Sequence, residues 1–170
     1  MDPVDAFLGL GSNLGTPSLQ IARALSELEE RSIDVRRVSS LYETEPLGGP
    51  PQPWFVNAVA ALRFEGEPLD LLHLCRGIET SHGRERAIPN GPRTLDLDIL
   101  LFGERVLKTE ELEIPHPRLA VRRFVLVPLV EIAPELRHPV SGLTMRELLA
   151  RCPDTSKVMP LTASVRARSS

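Results

Sequence analysis

Gly91-Pro92-Arg93-Thr94-Leu95-Asp96-Leu97-Asp98-Ile99-Leu100-Leu101-Phe102 is the run on which the reading of the fold turns. It opens with a Gly-Pro turn and continues as an apolar, β-prone segment, so Thr94 to Phe102 reads as a buried strand. Side chains alternate across a strand, which puts Asp96 and Asp98 on one face and Leu95, Leu97 and Ile99 on the other. Two carboxylates about 6 to 7 Å apart along such a strand repel one another when bare. A cation between them removes that cost. Hard oxygen ligands on a rigid strand suit Mg²⁺, which usually takes one or two carboxylates and fills its other positions with water and substrate phosphates. A solvated edge strand would also produce Asp-x-Asp. What favours the metal is the arginine just upstream and the basic loop before it.

Working outward, the 170-residue chain fits one domain with a real core, expected over residues 1–152, followed by a partly disordered tail over 153–170. A net charge of −3 speaks against a nucleic-acid binder that works by bulk electrostatics. No apolar run approaches the ~18 residues of a membrane span, and Asp2 and Asp5 stand where a basic leader would begin. With only Cys75 and Cys152, a reduced, cytoplasmic protein is expected, with a disulfide between the two left open.

A strand is expected from Val4 to Leu10, running into Gly11-Ser12-Asn13-Leu14-Gly15. That loop could present backbone N–H groups to a phosphate, or serve as a plain strand-to-helix turn. Thr16 is placed to cap a helix starting at Pro17, with Ile21, Leu25 and Leu28 as its buried stripe. A β-rich segment follows from Ile33 to Tyr42. Glu43 to Pro53 holds four prolines and Gly48-Gly49, which excludes helix and central strand and fits a binding lid. Trp54 begins a third strand reaching Phe64. Phe55 and Asn57 share one face of it, where an aromatic ring and a carboxamide could stack a heterocycle and bond its edge. A core Phe beside a locally satisfied Asn is the plainer alternative.

Pro68 to His82 reads as a second helix, with Leu71, Leu72, Cys75 and Ile78 inward and Arg76 and Glu79 on a polar or boundary face. His73 and His82 have no partner at metal-ligand spacing and read as surface residues. The loop Gly83 to Pro92 carries Arg84 and Arg86, and Arg93 follows it. Arginine forks match phosphate oxygens, so three of them beside the acid pair point to a polyphosphate. Beyond the acid-bearing strand, Gly103-Glu104 is expected to turn the chain into a hairpin strand at Val106-Leu107. Two prolines stiffen Ile114-Pro115-His116-Pro117-Arg118, holding His116 ahead of Arg118, Arg122 and Arg123, where it could donate to a phosphate. Phe124 to Ala133 reads as a buried helix. Thr144-Met145-Arg146-Glu147 is a capping box for a last helix ending at Ala150. The order of elements is that of a ferredoxin-like βαββαβ core, an α+β antiparallel sheet with helices on one face, plus C-terminal helical additions.

Gly11-Ser12-Asn13-Leu14-Gly15, Tyr42-Glu43-Thr44-Glu45-Pro46-Leu47-Gly48, Phe55-Val56-Asn57-Ala58, Gly91-Pro92-Arg93-Thr94-Leu95-Asp96-Leu97-Asp98 and Ile114-Pro115-His116-Pro117-Arg118 occur in that order. They resemble the motifs of the 6-hydroxymethyl-7,8-dihydropterin pyrophosphokinases of the folate pathway, over nearly the whole chain. The resemblance implies transfer of the β,γ-diphosphate of ATP to the hydroxymethyl oxygen of a reduced pterin, with AMP released. It assigns two Mg²⁺ ions to Asp96 and Asp98, and pterin contacts to Thr44, Leu47, Phe55, Asn57 and Phe124. ATP contacts fall to Glu79, Arg84, Arg86, Arg93, His116 and Arg122, and catalysis to Arg84, Arg93, Asp96 and Asp98. Departures from the family pattern are Phe55, where some members have Tyr, and Asn90, where some have Trp. The loop from Gly83 to Pro92 is also short. Both Gly/Pro-rich loops are expected to close together over the substrates. A monomer is expected, with a homodimer left open. Two alternatives share the acid pair or the fold: a metal-dependent nucleotidyl transferase or cyclase, and a non-catalytic ferredoxin-like binding module.

Overall fold

Alternation along three long strands builds a separate core on each side of one sheet. The computed structural model describes residues 2–83 and 94–161, so Arg84, Arg86, Asn90 and Arg93 lie outside the described residues. The strands are β1 (Val4–Ser12), β2 (Asp34–Val38), β3 (Tyr42–Thr44), β4 (Phe55–Phe64), β5 (Asp96–Phe102), β6 (Leu107–Lys108), β7 (Glu113–Ile114) and β8 (Val158–Pro160). The helices are α1 (Pro17–Glu30), α2 (Pro68–Ser81), α3 (Arg123–Ile132) and α4 (Met145–Ala150), with a 3₁₀ turn at Leu119–Val121. The main sheet runs β5-β1-β4-β3-β8, with every pairing antiparallel. β2 lies against the same edge of β4 as β3, one after the other, because the chain breaks from strand geometry between Val38 and Tyr42.

Ala6, Leu8 and Leu10 of β1, with Ala58, Ala60 and Leu62 of β4 and Leu97 and Ile99 of β5, face α1 and α2. Ile21, Ala24 and Leu28 from α1 and Leu71, Cys75 and Ile78 from α2 close that core. The opposite face takes Phe7, Val59, Leu100 and Leu101 against α3, α4 and the 3₁₀ turn. Helices therefore cover both faces, the C-terminal pair covering the one that the expected βαββαβ unit leaves bare. A bulge decides one detail: Phe7 pairs with Leu101 and Leu8 with Ile99, leaving Leu100 as the extra residue. Leu100 and Leu101 consequently both reach the α3 side.

Several expectations are corrected. β1 continues through Ser12, so Gly11 is a strand residue and the turn falls at Gly15, with φ +68°. Thr16 begins α1 by its backbone carbonyl, which accepts from Gln20, while its side chain makes no cap bond. β6 does not pair back onto β5 but forward onto β7. The outer edge of β5 is already engaged: Leu97 N–H donates to Glu79 and Leu100 C=O accepts from His116 N–H. Part of the tail joins the sheet as β8, and Leu161 beyond it is buried. The capping box at Thr144 and Glu147 forms as expected. Cys75 and Cys152 are both free thiols.

His82 is not a surface residue. Its side chain is only 4% exposed, and its two ring nitrogens meet Gln20 Oε1 and Glu27 Oε1 of α1. Ser81 Oγ donates to the same Glu27 carboxylate. The end of α2 is thus pinned to α1 by polar contacts that periodicity alone does not reveal. Replacing His82 by Ala should cost ~1–3 kcal/mol of unfolding free energy, read from urea denaturation, because the half-buried Gln20 and Glu27 lose their partner and the ring leaves a gap. A loss under ~0.5 kcal/mol would be the behaviour of a solvated side chain.

Candidate functional site

The pocket lies on the α3 side of the sheet, where β1 has no side chains to fill the space. Gly9 pairs with Asp98 and Gly11 with Asp96 on one flank, and with Val59 and Asn57 on the other. All these residues line the pocket, with Leu10, Ala58 and Leu100. A methyl group at Gly11 would sit 2.5 Å from Asn57 Oδ1, so a side chain there would displace the carboxamide from its place beside Thr44. This Gly-x-Gly in a strand, on the face of the two acids, was the sequence signal for the floor of the site. The sequence reading puts Gly9 in the strand but Gly11 in the loop after it, and so separates the pair.

Two walls rise from that floor. One is the end of β3 and the start of the following loop, Thr44, Glu45, Pro46 and Leu47; the other is the start of α3, Arg122, Phe124 and Val125. Thr44 is buried, and its Oγ1 accepts from Asn57 Nδ2 at 2.7 Å, which fixes the amide's orientation. Phe55 stands two residues along β4 on the same face. Arg122 lies 5.4 Å from the centroid of the Phe124 ring. All five residues expected to meet a planar heterocycle, Thr44, Leu47, Phe55, Asn57 and Phe124, line this one pocket together with Asp96, Asp98 and Arg122. Asn13 holds the far end of the proline-rich loop, its Nδ2 donating to Gln52 Oε1 and to Pro53 C=O.

The electrostatics are those of an anion-rich floor. Burial raises the pKa of Asp98 to about 7, reinforced by the negative charges of Asp96 and Glu79 and opposed by Arg122. Without a counter-ion the acid pair therefore holds a proton that two separate carboxylates would release. Glu79 differs from its expected boundary position: it is buried, and its Oε2 accepts Leu97 N–H at 2.8 Å behind the acid-bearing strand. His116 falls outside the pocket lining, yet it is close enough to feel Asp96 and Arg122. Burial, then the charges of Arg122 and Arg118, lower its pKa to about 4, so it is neutral at pH 7. Its Nδ1 accepts Arg118 N–H at 3.1 Å, which leaves the proton on Nε2 as a donor.

Among the described residues no cluster of three or more His, Cys, Asp or Glu is disposed around a metal position. Two adjacent carboxylates with no nitrogen or sulfur donor match Mg²⁺, which needs few protein ligands when phosphate oxygens and water supply the rest. Burial and the neighbouring Asp96 charge, only partly offset by Arg122, raise the Asp98 pKa at the same spot. Arg84, Arg86 and Arg93 lie outside the described residues, so of the expected guanidinium groups Arg122 alone is placed here.

Fold and pocket together define a class: a ferredoxin-like α+β protein whose cleft suits a cation, a polyphosphate and a flat heterocycle. Residues 7–134 match the family described as 7,8-dihydro-6-hydroxymethylpterin-pyrophosphokinase (HPPK). A Pseudomonas aeruginosa protein named 2-amino-4-hydroxy-6-hydroxymethyldihydropteridine pyrophosphokinase is 50% identical over 149 residues, 86% of this chain and 91% of that relative. The folic acid synthesis protein fol1 of Schizosaccharomyces pombe is 43% identical over 149 residues, which are 87% of this chain but 20% of that protein. A crystal structure of Plasmodium falciparum HPPK-DHPS with pteroate superposes with a TM-score of 0.71 at 18% identity, covering 88% of this chain and 42% of that one, a likeness of fold. The chain belongs to the HPPK family. Membership separates it from the nucleotidyl-transferase and binding-module alternatives.

The acid pair makes stability depend on pH. In the unfolded chain Asp98 titrates near ~4, whereas in the folded protein it holds its proton up to about 7. The native state then binds the extra proton, so this group's contribution is full below the unfolded value and is lost as pH rises toward about 7. In chelator, wild type should lose stability relative to Asp98→Asn between those pH values, and Mg²⁺ should narrow the gap. Parallel melting-temperature curves for the two proteins would contradict the assignment.

Proposed function

We propose that this chain transfers the diphosphate of ATP to the hydroxymethyl oxygen of 6-hydroxymethyl-7,8-dihydropterin, giving the pterin diphosphate and AMP in folate biosynthesis. The observation that carries the reading is the convergence, in a chain of this family, of the acid pair and the Thr44–Asn57 couple on one pocket floor. Thr44 and Asn57 offer fixed polar edges to the pterin. Phe55, Leu47 and Phe124 enclose its ring. ATP is the co-substrate, and Asp96 and Asp98 are the residues to hold Mg²⁺, two ions in the fullest form of the reading. Bound there, the metal supplies charge neutralisation for the transferring phosphates.

The chain's own groups do the remaining work. Arg122, steered by the Phe124 ring and the Asp98 carboxylate, meets phosphate oxygen from the α3 wall. Neutral His116 donates through Nε2 without adding charge to compete with the metal. Glu79 acts behind β5, holding Leu97 N–H and hence the spacing of Asp96 and Asp98. Arg84, Arg86 and Arg93 complete the ATP contacts, with Arg84 and Arg93 acting on the reacting phosphates. Phosphoryl-type transfer calls for position and charge more than covalent help, and this inventory provides both.

Incubation with ATP, Mg²⁺ and the reduced pterin alcohol should yield AMP and pterin diphosphate in equal amounts. Asp96→Asn or Asp98→Asn should cut turnover by ~10²-fold or more with the fold retained, checked by circular dichroism. ADP as product, or ATP turnover indifferent to pterin, would refute the reading.

A further inference from the structure

After α4 the chain, described through Leu161, returns to the pocket's two walls and bonds to both. Asp154 Oδ2 accepts Arg123 N–H at 2.8 Å, while its Oδ1 accepts Ser156 N–H at 2.9 Å. Arg123 is the first residue of α3 and sits between Arg122 and Phe124, both of which line the pocket. Its N–H is one of the donors that a helix start leaves unpaired, and the Arg122 side chain makes no cap bond to α3. A carboxylate there also meets the favourable end of the helix dipole. Burial would raise the Asp154 pKa, but the Ser156 and Arg123 N–H bonds and the Arg123 charge outweigh it and hold it below the usual carboxylate range.

Three residues further on, the same segment grips the opposite wall. Lys157 N–H donates to Glu45 Oε1 at 2.7 Å and Lys157 C=O accepts Glu45 N–H at 3.2 Å. Val158 then pairs with Thr44. Glu45 and Thr44 both line the pocket. The other end of α3 is tied to β3 independently, by Glu131 accepting from Ser40 N–H and Oγ and from the Tyr42 hydroxyl. The two walls are thus joined at the end of α3 by Glu131 and at its start by residues 154–158.

We infer that residues 154–158 form a strap that sets the separation of the Thr44–Leu47 wall from the Arg122–Phe124 wall, with Asp154 and Glu45 as its positioning residues for the pterin. This rests on the pterin reading of the pocket. None of these bonds runs to the acid pair or the floor, so the strap's effect falls on how tightly the heterocycle is enclosed.

The test uses the full chain at a temperature where every variant is folded. Asp154→Ala should raise the KM and the equilibrium dissociation constant for the pterin by roughly three- to tenfold, the range available from one helix-cap bond. Asp154→Asn keeps an acceptor for Arg123 N–H and should return both to within about twofold of wild type. Should Asp154→Ala not fold, Glu45→Ala and Glu45→Gln make the same comparison on the other wall, with ATP affinity unchanged. A strap that only adds stability would lower the melting temperature and leave the pterin KM of the folded protein where it was; that result overturns the inference. Failure of the Asn or Gln variant to recover would overturn it too. Wild type without pterin-dependent AMP release would instead sink the functional reading, and the strap's stated role with it.

Discussion

Two carboxylates on the inner face of one strand are the constraint to which the rest of this molecule answers. Asp96 and Asp98 sit where a sheet normally buries aliphatic side chains, and their mutual repulsion is met from several directions. Gly9 and Gly11 keep the neighbouring strand bare, so the acids face open space that a cation and phosphates can enter. Arg122 approaches from α3 with a counter-charge, itself steadied by Phe124. On the far side of the sheet, the aliphatic residues that alternate with the acids lie under α1 and α2, so the strand cannot flip or slip in register without exposing Leu95, Leu97 and Ile99.

The same constraint explains why the C-terminal third of the chain is present in the form it takes. A βαββαβ sheet covers one face with its two helices; the other would be open. α3 and α4 cover only the half of it around Phe7, Val59, Leu100 and Leu101, and stop short of the glycines. The remaining half becomes the pocket. The bulge at Leu100 serves this division, since it turns two consecutive leucines toward α3 two residues beyond Asp98.

Much of this was written in local sequence, for reasons that are themselves local. The period-two pattern from Leu95 to Ile99 placed both acids on one face, and the same rule paired Phe55 with Asn57. Pro17, Pro68 and the Thr144–Glu147 box marked helix starts, since each acts within one turn of the backbone. Family-specific motifs added the pterin and ATP assignments, and the residues named for the heterocycle do meet in one pocket.

Tertiary structure decided what depends on partners distant in the chain. Glu79 and His82 looked solvated because helical periodicity ranks residues by polarity, whereas each is buried against a partner 18 to 62 residues away. Gly11 looked like a turn because glycine serves turns and close approaches alike, and only the position of Asn57 across the strand pair tells them apart. Leu107 paired forward because the outer edge of β5 was engaged by Glu79 and His116, which no local rule reports. The polar, breaker-rich tail gave no sign of β8, whose pairing with β3 exists only once that edge is exposed to receive it. Sequence by itself determined which residues carry the chemistry and on which face each strand shows them, because that follows from backbone geometry; folding decided which of those faces were left open, because that depends on what packs against them.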